Sequence, residues 1–459
     1  DALEPRVKAW ALVDREAART EARRCAEEAA RGTFRGPLHG VPFAVKDIFY
    51  SAGLRTEAGS RVLAGFVPAY DATTVARLKS AGAILLGKLH TTEFATMDPA
   101  PTRNPWNLDH TPGGSSSGSG AAVAARMTPI ALGSQTAGSA IRPSSYCGLA
   151  GLKATFGRIS NRGVIPLAWT QDHVGIMARS VEDLALVLQV IAGRDPADAS
   201  TTSDPVPDYR AALGQRRPPR IGLLREYFLE KCDAEVARVT QEALGRLRTA
   251  GATVEEVKLP PSFGVAHAAG WTITRTETAA CHAELYPGKA ELYGPAIRSI
   301  IEVGQLIPGE LYLKALRLRR RFRREMARAL ERFDVLLTPT TPTPAPPACR
   351  PAIRCSRCRG ASPACPPPPC PVGSPPLASP SGSSSSRGPS PRRHCSPRRP
   401  GARKCWGGSR RRRFDAGSSS ERSTMVEFKK LTYDVLEVGE EFVSDDHLVT
   451  PEDIETYAF

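Results

Sequence analysis

The sequence predicts an α/β fold layered around a largely buried β-sheet. From about residue 37, apolar runs of strand length alternate with stretches of helical composition, and Gly/Pro/Ser clusters separate them. The 459 residues also suffice for a buried core, in one large domain or two to three ordinary ones.

Residues 1–31 are dominated by Ala, Arg and Glu, with Ala9, Leu12, Ala17 and Ala18 near helical spacing, and predict a helix. Strands are predicted at Val41–Val45, Ala83–Leu86 and Pro129–Leu132, and helices at Thr73–Ala81, Ala121–Met127 and Val181–Ala192. Asp204–Pro219 reads as a polar, Pro-containing linker. Beyond it, strand Ile221–Leu224, helix Ala234–Ala250 and strand Thr253–Val257 predict a further α/β unit. A long helix at about Glu310–Phe333 carries Arg317, Arg319, Arg320, Arg321, Arg323 and Arg324, which look like a binding patch. Leu311, Leu313, Leu316, Leu318, Phe322 and Met326 supply an apolar stripe, so a solvated amphipathic helix is expected. Val335–Leu337 predicts one more core strand.

The net charge is +15, a balance that commonly marks nucleic acid or an anionic surface as partner. Its distribution argues otherwise. Residues 345–424 hold 16 of the 62 Lys/Arg and 2 of the 47 acids, leaving 46 bases against 45 acids elsewhere. No nucleic-acid partner is therefore expected for the rest. That segment also holds 16 Pro, 16 Ser and 7 Cys, with few large apolar residues to offset chain entropy, and predicts disorder. Cys355, Cys358, Cys365 and Cys370 invite a zinc site, but the pairs are closely spaced, Pro-rich and unflanked by strands, so no metal is expected. Such a composition is also what GC-rich DNA yields out of frame. From Met425 the alternation of apolar and acidic residues returns, and Val435–Phe442 resembles the opening of hot-dog-fold acyl dehydratases. The expected organisation is a catalytic domain at 1–344, an aberrant segment at 345–424 following a frameshift, and a fragment of another protein at 425–459.

Cys25, Cys147, Cys232 and Cys281 are scattered singly, which suits a reducing compartment without a disulfide framework. The chain starts at Asp1 rather than Met, so a missing N-terminus is expected. No apolar run approaches the ~18 residues that span a bilayer. A cytoplasmic protein without membrane contact is expected.

The chemistry concentrates in residues 111–143. Thr111–Gly120 is a Gly/Ser loop containing Ser115, Ser116, Ser117 and Ser119, and it runs into an Ala-rich helix. It lacks both G-K-[ST] and G-x-G-x-x-G, which argues against a phosphate cradle. In the second block, Gly133–Pro143, the small residues Thr136, Ala137, Gly138 and Ser139 let the backbone bend tightly. Several N–H groups then converge as an oxyanion hole requires. Ser139 is placed there either as nucleophile or as a helix N-cap. None of the eight His has a recognisable catalytic setting, and no G-x-S-x-G occurs. Lys46 follows the run Val41–Val45, and burial at a strand end would lower its proton affinity enough for it to act as base.

Together these residues resemble the amidase signature family. The matches run through Gly36–Pro42 to Val45-Lys46-Asp47, then Gly87-Lys88, Thr92-Glu93-Phe94 and Thr102–Trp106. Gly113–Gly120, Gln135–Pro143, and Asp172 with Gly175, Arg179 and Asp183 follow. The resemblance implies the amidase signature fold, a mixed central β-sheet flanked by helices on both faces. It implies Lys46 as base, Ser115 as bridging serine held by a cis peptide, Ser139 as nucleophile, and backbone amides of Thr136, Ala137, Gly138 and Ser139 as oxyanion hole. No cofactor is implied.

Two departures bear on the substrate. Gln135 stands where the family commonly has an acid, and Arg142 lies three residues after Ser139 rather than two. That variant resembles malonamidases and related stand-alone amidases, in which the matching arginine binds a substrate carboxylate. An internal ion pair of Arg142 with an acid such as Asp172 is the alternative. The first expectation is therefore a stand-alone amidase acting on a small linear amide, with a homodimer as its expected assembly. The second is the glutaminase component of a tRNA-dependent amidotransferase, and the third a nucleic-acid or zinc-binding protein built on 345–424. In the family, chain beyond the position of Thr338-Pro339-Thr340 completes the sheet, so replacement of that text is expected to leave an open edge.

Overall fold

The computed structural model describes residues 2–214 and 217–348, together with the backbone of 443–444 and 447–448. The principal sheet has six strands: β1 (Trp10–Val13), β2 (Pro42–Lys46), β3 (Ile84–Leu89), β4 (Ile130–Gln135), β5 (Ala150–Lys153) and β6 (His173–Ala178). Their order is β1-β3-β2-β4-β6-β5. β2 runs parallel to β3 and β4, whereas β1 is antiparallel to β3, and β6 is antiparallel to both β4 and β5. The sheet is mixed, as expected.

The central strand β2 reads Phe43-Ala44-Val45, and all three residues are fully buried. A continuous apolar run is what a parallel strand covered on both faces needs. Successive side chains point to opposite faces. Phe43 and Val45 pack with Leu78, Val187, Ile191 and Ile297 from helices Thr73–Ser80, Val181–Ile191 and Pro295–Gln305. Ala44 packs with Ala121, Ala122 and Val123 from helix Ser117–Ala124. Helices therefore cover both faces.

Three further strands, β7 (Arg220–Leu223), β8 (Thr253–Glu256) and β9 (Val335–Leu337), form a separate all-parallel sheet ordered β8-β7-β9. Helix Ala234–Thr249 covers one side through Leu244, and Phe322 and Met326 of helix Gly309–Leu330 cover the other. This is the further α/β unit expected after residue 219.

The structure corrects several expectations. Residues 1–31 are not one helix: helix Glu4–Val7 stops at Lys8, whose φ is +53°, and β1 intervenes before helix Arg15–Ala30. Tertiary pairing with β3, with Leu12 opposite Lys88, overrides the helical composition there. The helix expected from Ala121 begins at Ser117. Gly118 makes this possible, because a Cβ there would collide with the Ala9 and His90 backbones. The linker 204–219 contains a short helix, Tyr209–Ala212, capped by Asp208. In Gly309–Leu330, Leu311 and Leu313 are exposed, and the buried stripe is Ala315, Phe322 and Met326. Arg319 is not simply solvated, since it donates to the carbonyl and hydroxyl of Thr170. Strands β5 and β6 and helices Phe263–Cys281 and Pro295–Gln305 add to the elements expected from sequence.

Cys25, Cys147, Cys232 and Cys281 are free thiols. Backbone pairing at 443–444 and 447–448 is antiparallel. The disorder, zinc and acyl-dehydratase expectations for 349–459 otherwise lie outside the described residues. Among the described residues, no helix is long and apolar enough to cross a membrane.

Candidate active site

Lys46 is the last residue of β2, two positions beyond Ala44, and it is completely buried. Its Nζ donates to Ser115 Oγ at 2.7 Å and to Ser134 Oγ at 2.8 Å. Loss of hydration disfavours the ammonium and brings its pKa down to about 7, against an opposing pull from the Asp172 carboxylate. The strand-end, inward-drawn lysine expected from sequence is thus observed.

Ser115 is equally buried and follows a turn that needs Gly113, whose φ is +81°. The Gly114–Ser115 peptide is cis, as the resemblance implies. The loop is tied on both sides. Thr92 N donates to the Ser115 carbonyl, and Ser116 N donates to the Ser139 carbonyl, each at 3.1 Å. This second bond joins the two serine loops directly. Ser116 Oγ donates to the Ser134 carbonyl and accepts from its amide, while Ser119 Oγ donates to the Leu132 carbonyl. Those two hydroxyls hold the frame.

The second turn leaves the end of β4. Gln135 Oε1 accepts from Ala140 N at 3.0 Å and Ile141 N at 2.9 Å, and so caps helix Ile141–Tyr146. Ser139 is consequently not the N-cap, and of its two sequence readings that one falls. Gly175 of β6 lets the turn approach the sheet, since a Cβ there would overlap Ala140 Cβ. Among the described residues no acceptor meets the amides of Thr136, Ala137, Gly138 or Ser139. Four such N–H groups in sequence, without an acceptor among the described residues, could receive a negatively charged oxygen.

Arg142 is exposed, and its Nε and Nη2 donate to the Gly114 carbonyl at 3.1 and 2.6 Å. Asp172 is engaged elsewhere. Its Oδ1 accepts from Thr136 Oγ1 at 2.5 Å, and its Oδ2 accepts from Leu167 N at 2.7 Å and Ala168 N at 2.9 Å. Ser134 and Asp172 line a cavity of ≈ 440 Å3 with Ala95, Asn161, Ile165 and Trp169.

Three contributions escape sequence reasoning: Ser134 as second acceptor for Lys46, Gln135 as helix cap, and Asp172 as anchor of the turn. Ser134 and Gln135 stand next to each other at a strand end, but nothing in their spacing reveals that β2 and β4 are neighbours. Cys25, Glu28 and His39 also approach one another closely enough to suggest a cation site. Their donors are already used: Cys25 Sγ on the Gly82 carbonyl, His39 on Cys25 O and Arg35 N, and Glu28 on Arg35.

The chain matches the family described as Amidase over residues 1–359. It is 43% identical over 372 residues to the A component of the glutamyl-tRNA(Gln) amidotransferase of Roseiflexus sp. (strain RS-1), covering 74% of this chain and 76% of that one. Among solved structures it is similar to a chain from a vestigial protein complex bearing on the evolutionary origins of an s-triazine catabolic enzyme. That likeness has a TM-score of 0.71 and 37% identity over 75% of this chain and 76% of the other. The native peptide amidase of Stenotrophomonas maltophilia gives a TM-score of 0.65 and 34% identity over 75% and 80%. With its mixed sheet and this likeness, the chain belongs to the amidase signature family, a family of enzymes that hydrolyse carbon–nitrogen bonds.

Proposed function

We propose that this chain cleaves a carboxylic amide through an acyl-enzyme on Ser139. The observation that carries the proposal is the completely buried Lys46 amine, 2.7 Å from Ser115 Oγ, with its pKa lowered to about 7. Neutral Lys46 takes the proton of Ser115, and Ser115 takes that of Ser139 as Ser139 Oγ attacks the amide carbon. The developing oxyanion is held by the amides of Thr136, Ala137, Gly138 and Ser139, each well-placed donor contributing about 3 kcal/mol. As the C–N bond breaks, Ser115 passes a proton to the leaving nitrogen and regains one from Lys46. Water then attacks the ester by the same relay and releases the acid.

As to substrate, the relatives named as amidotransferase A components support the glutaminase reading over the stand-alone amidase placed first from sequence. Glutamine is then the amide donor, ammonia the product, and partner subunits replace the expected homodimer. Arg142 is the proposed contact for the substrate's free carboxylate. The family match runs to residue 359, past the domain end expected at 344. Cytoplasmic localisation accompanies this reading.

A fluorophosphonate probe tests the chemistry. Wild type is labelled, Ser139→Ala is not, and Lys46→Ala labels at least 100-fold more slowly at pH 7. Labelling or turnover that survives Ser139→Ala rejects the assignment. Ammonia release from glutamine that rises with partner subunits and charged tRNA supports the glutaminase reading. Equal turnover of unrelated amides by the chain alone supports the stand-alone amidase.

A further inference from the structure

We propose that Asp172 is a positioning residue that links the oxyanion turn to the general base, acting on the turn through Thr136 and on Lys46 through its charge. The inference rests on the Lys46–Ser115–Ser139 reading above.

The geometry supports two separate actions. On the steric side, Thr136 is the first residue of the turn whose four amides meet no acceptor among the described residues, and its hydroxyl ends on Asp172 Oδ1 at 2.5 Å. The other carboxylate oxygen is fixed by two backbone amides, Leu167 and Ala168. Three donors leave this carboxylate little freedom; burial pushes its pKa up, and these hydrogen bonds and the Lys46 charge pull it back toward the ionised form. Thr136 is thereby held against a rigid point rather than against solvent.

The loop that presents Asp172 is gripped in turn by two helices. Glu277 accepts from Thr170 N and Thr170 Oγ1, and also from Tyr312 OH. Arg319 donates to Thr170 O and Oγ1, Thr278 Oγ1 donates to the Leu167 carbonyl, and Thr274 Oγ1 donates to Gln171 Oε1. Asn161 Nδ2 holds the Asp172 carbonyl. So many bonds to one short loop fix the carboxylate's place against Thr136.

On the electrostatic side, Asp172 lines the same cavity as Ser134, whose hydroxyl accepts from Lys46 Nζ, and its charge favours the Lys46 ammonium. Among the described residues, the ionisable groups on elements packed against the Asp172 loop include Cys281 and Glu277 on helix Phe263–Cys281, Arg319 on helix Gly309–Leu330, and His173 next in sequence. Cys281 is pushed up to about 12 by burial, then by Asp172 and Glu277, so its thiol stays neutral through the working range. His173 Nδ1 engages the Gln171 carbonyl. Lys46 is thus the neighbour whose charge Asp172 tunes across neutral pH. A lysine driven too low by burial would be a weak base; the carboxylate holds it near the pH at which it must exchange its proton.

The test compares Asp172→Asn with Thr136→Val in the full chain, recording kcat and KM from pH 5 to 9. Asp172→Asn lowers the plateau kcat at least tenfold and moves the acid limb to lower pH by about one unit, the shift expected from deleting an opposite charge. Thr136→Val lowers kcat to a similar extent and leaves the acid limb in place. KM changes less than threefold in both. An Asp172→Asn profile whose acid limb stays put, or an unchanged kcat in Thr136→Val, overturns the linkage. Asp172→Glu, which keeps the charge, restores the limb position if the protein folds, and circular dichroism melts of each variant register loss of fold separately. Should Ser139→Ala or Lys46→Ala retain turnover, the underlying triad fails instead, so the two failures are distinguishable.

Discussion

Lys88 on β3 and Asp47, the residue that follows Lys46 just beyond β2, face each other at 3.9 Å, both buried. Lys88 also donates to Thr56 Oγ1 and to the Phe49 carbonyl. Burial lowers the Lys88 ammonium and raises the Asp47 carboxyl, and each partly restores the charge of the other. Two buried lysines thus sit on adjacent strands. Burial lowers both, Lys88 to about 8 beside the Asp47 carboxylate and Lys46 to about 7 between two hydroxyls. The proposed roles are structural for the first and general base for the second.

Lys88→Met leaves Asp47 buried without its partner. The expected loss is about 3–5 kcal/mol, the cost of breaking a buried pair from one side. Urea unfolding of the variant against wild type measures it, and a loss below about 1 kcal/mol contradicts the structural role.

Lys46→Met is expected to stabilise the protein while abolishing turnover. The folded pKa of Lys46, about 7, lies below the ordinary 10.5, so between those values the unfolded chain binds more protons than the folded one. Stability contributed at this site therefore rises as pH increases from about 7 to 10.5 and is smallest below 7. The melting temperature of Lys46→Met should exceed that of wild type most at pH 6 to 7, and the gap should narrow by pH 10. A gap that widens with pH contradicts a depressed lysine.

Ser134→Ala removes one of the two acceptors that fix the Lys46 amine. The expected outcome is a kcat lower by about tenfold, from a less well oriented base. A stability loss of about 1–3 kcal/mol accompanies it, from a buried polar contact unmade. Steady-state kinetics and thermal melts, taken on the same preparation, read the two effects.

Arg142→Ala separates carboxylate recognition from support of the Gly114 carbonyl. For an amide carrying a free carboxylate, KM is expected to rise at least tenfold, whereas for a neutral amide it changes less than threefold. Equal effects on both substrates would overturn carboxylate recognition by Arg142.

Much of this site is legible along the chain because its parts are short and local. Lys46 ends an apolar run, Ser115 sits in a Gly/Ser loop, and Ser139 closes a turn of small residues. Each pattern states a backbone requirement that the residues nearby satisfy themselves. Ambiguity remains wherever a residue's role depends on a distant partner. Ser139 reads equally well as an N-cap until Gln135 is seen to cap the helix, and Arg142 reads as a partner for Asp172 until each is seen bonded elsewhere.

The sequence alone determined the α/β class and most strands and helices, because hydrophobic period and small-residue turns are properties of neighbours in the chain, and its motif order carried the resemblance from which Lys46, Ser115 and Ser139 are proposed. Only the tertiary structure decided that Trp10–Val13 is a strand, that Ser134 and Ser115 share one amine, and that Asp172 anchors Thr136. Those facts depend on which strands lie side by side, and that choice is made by burial and pairing across the whole sheet, which no local window contains.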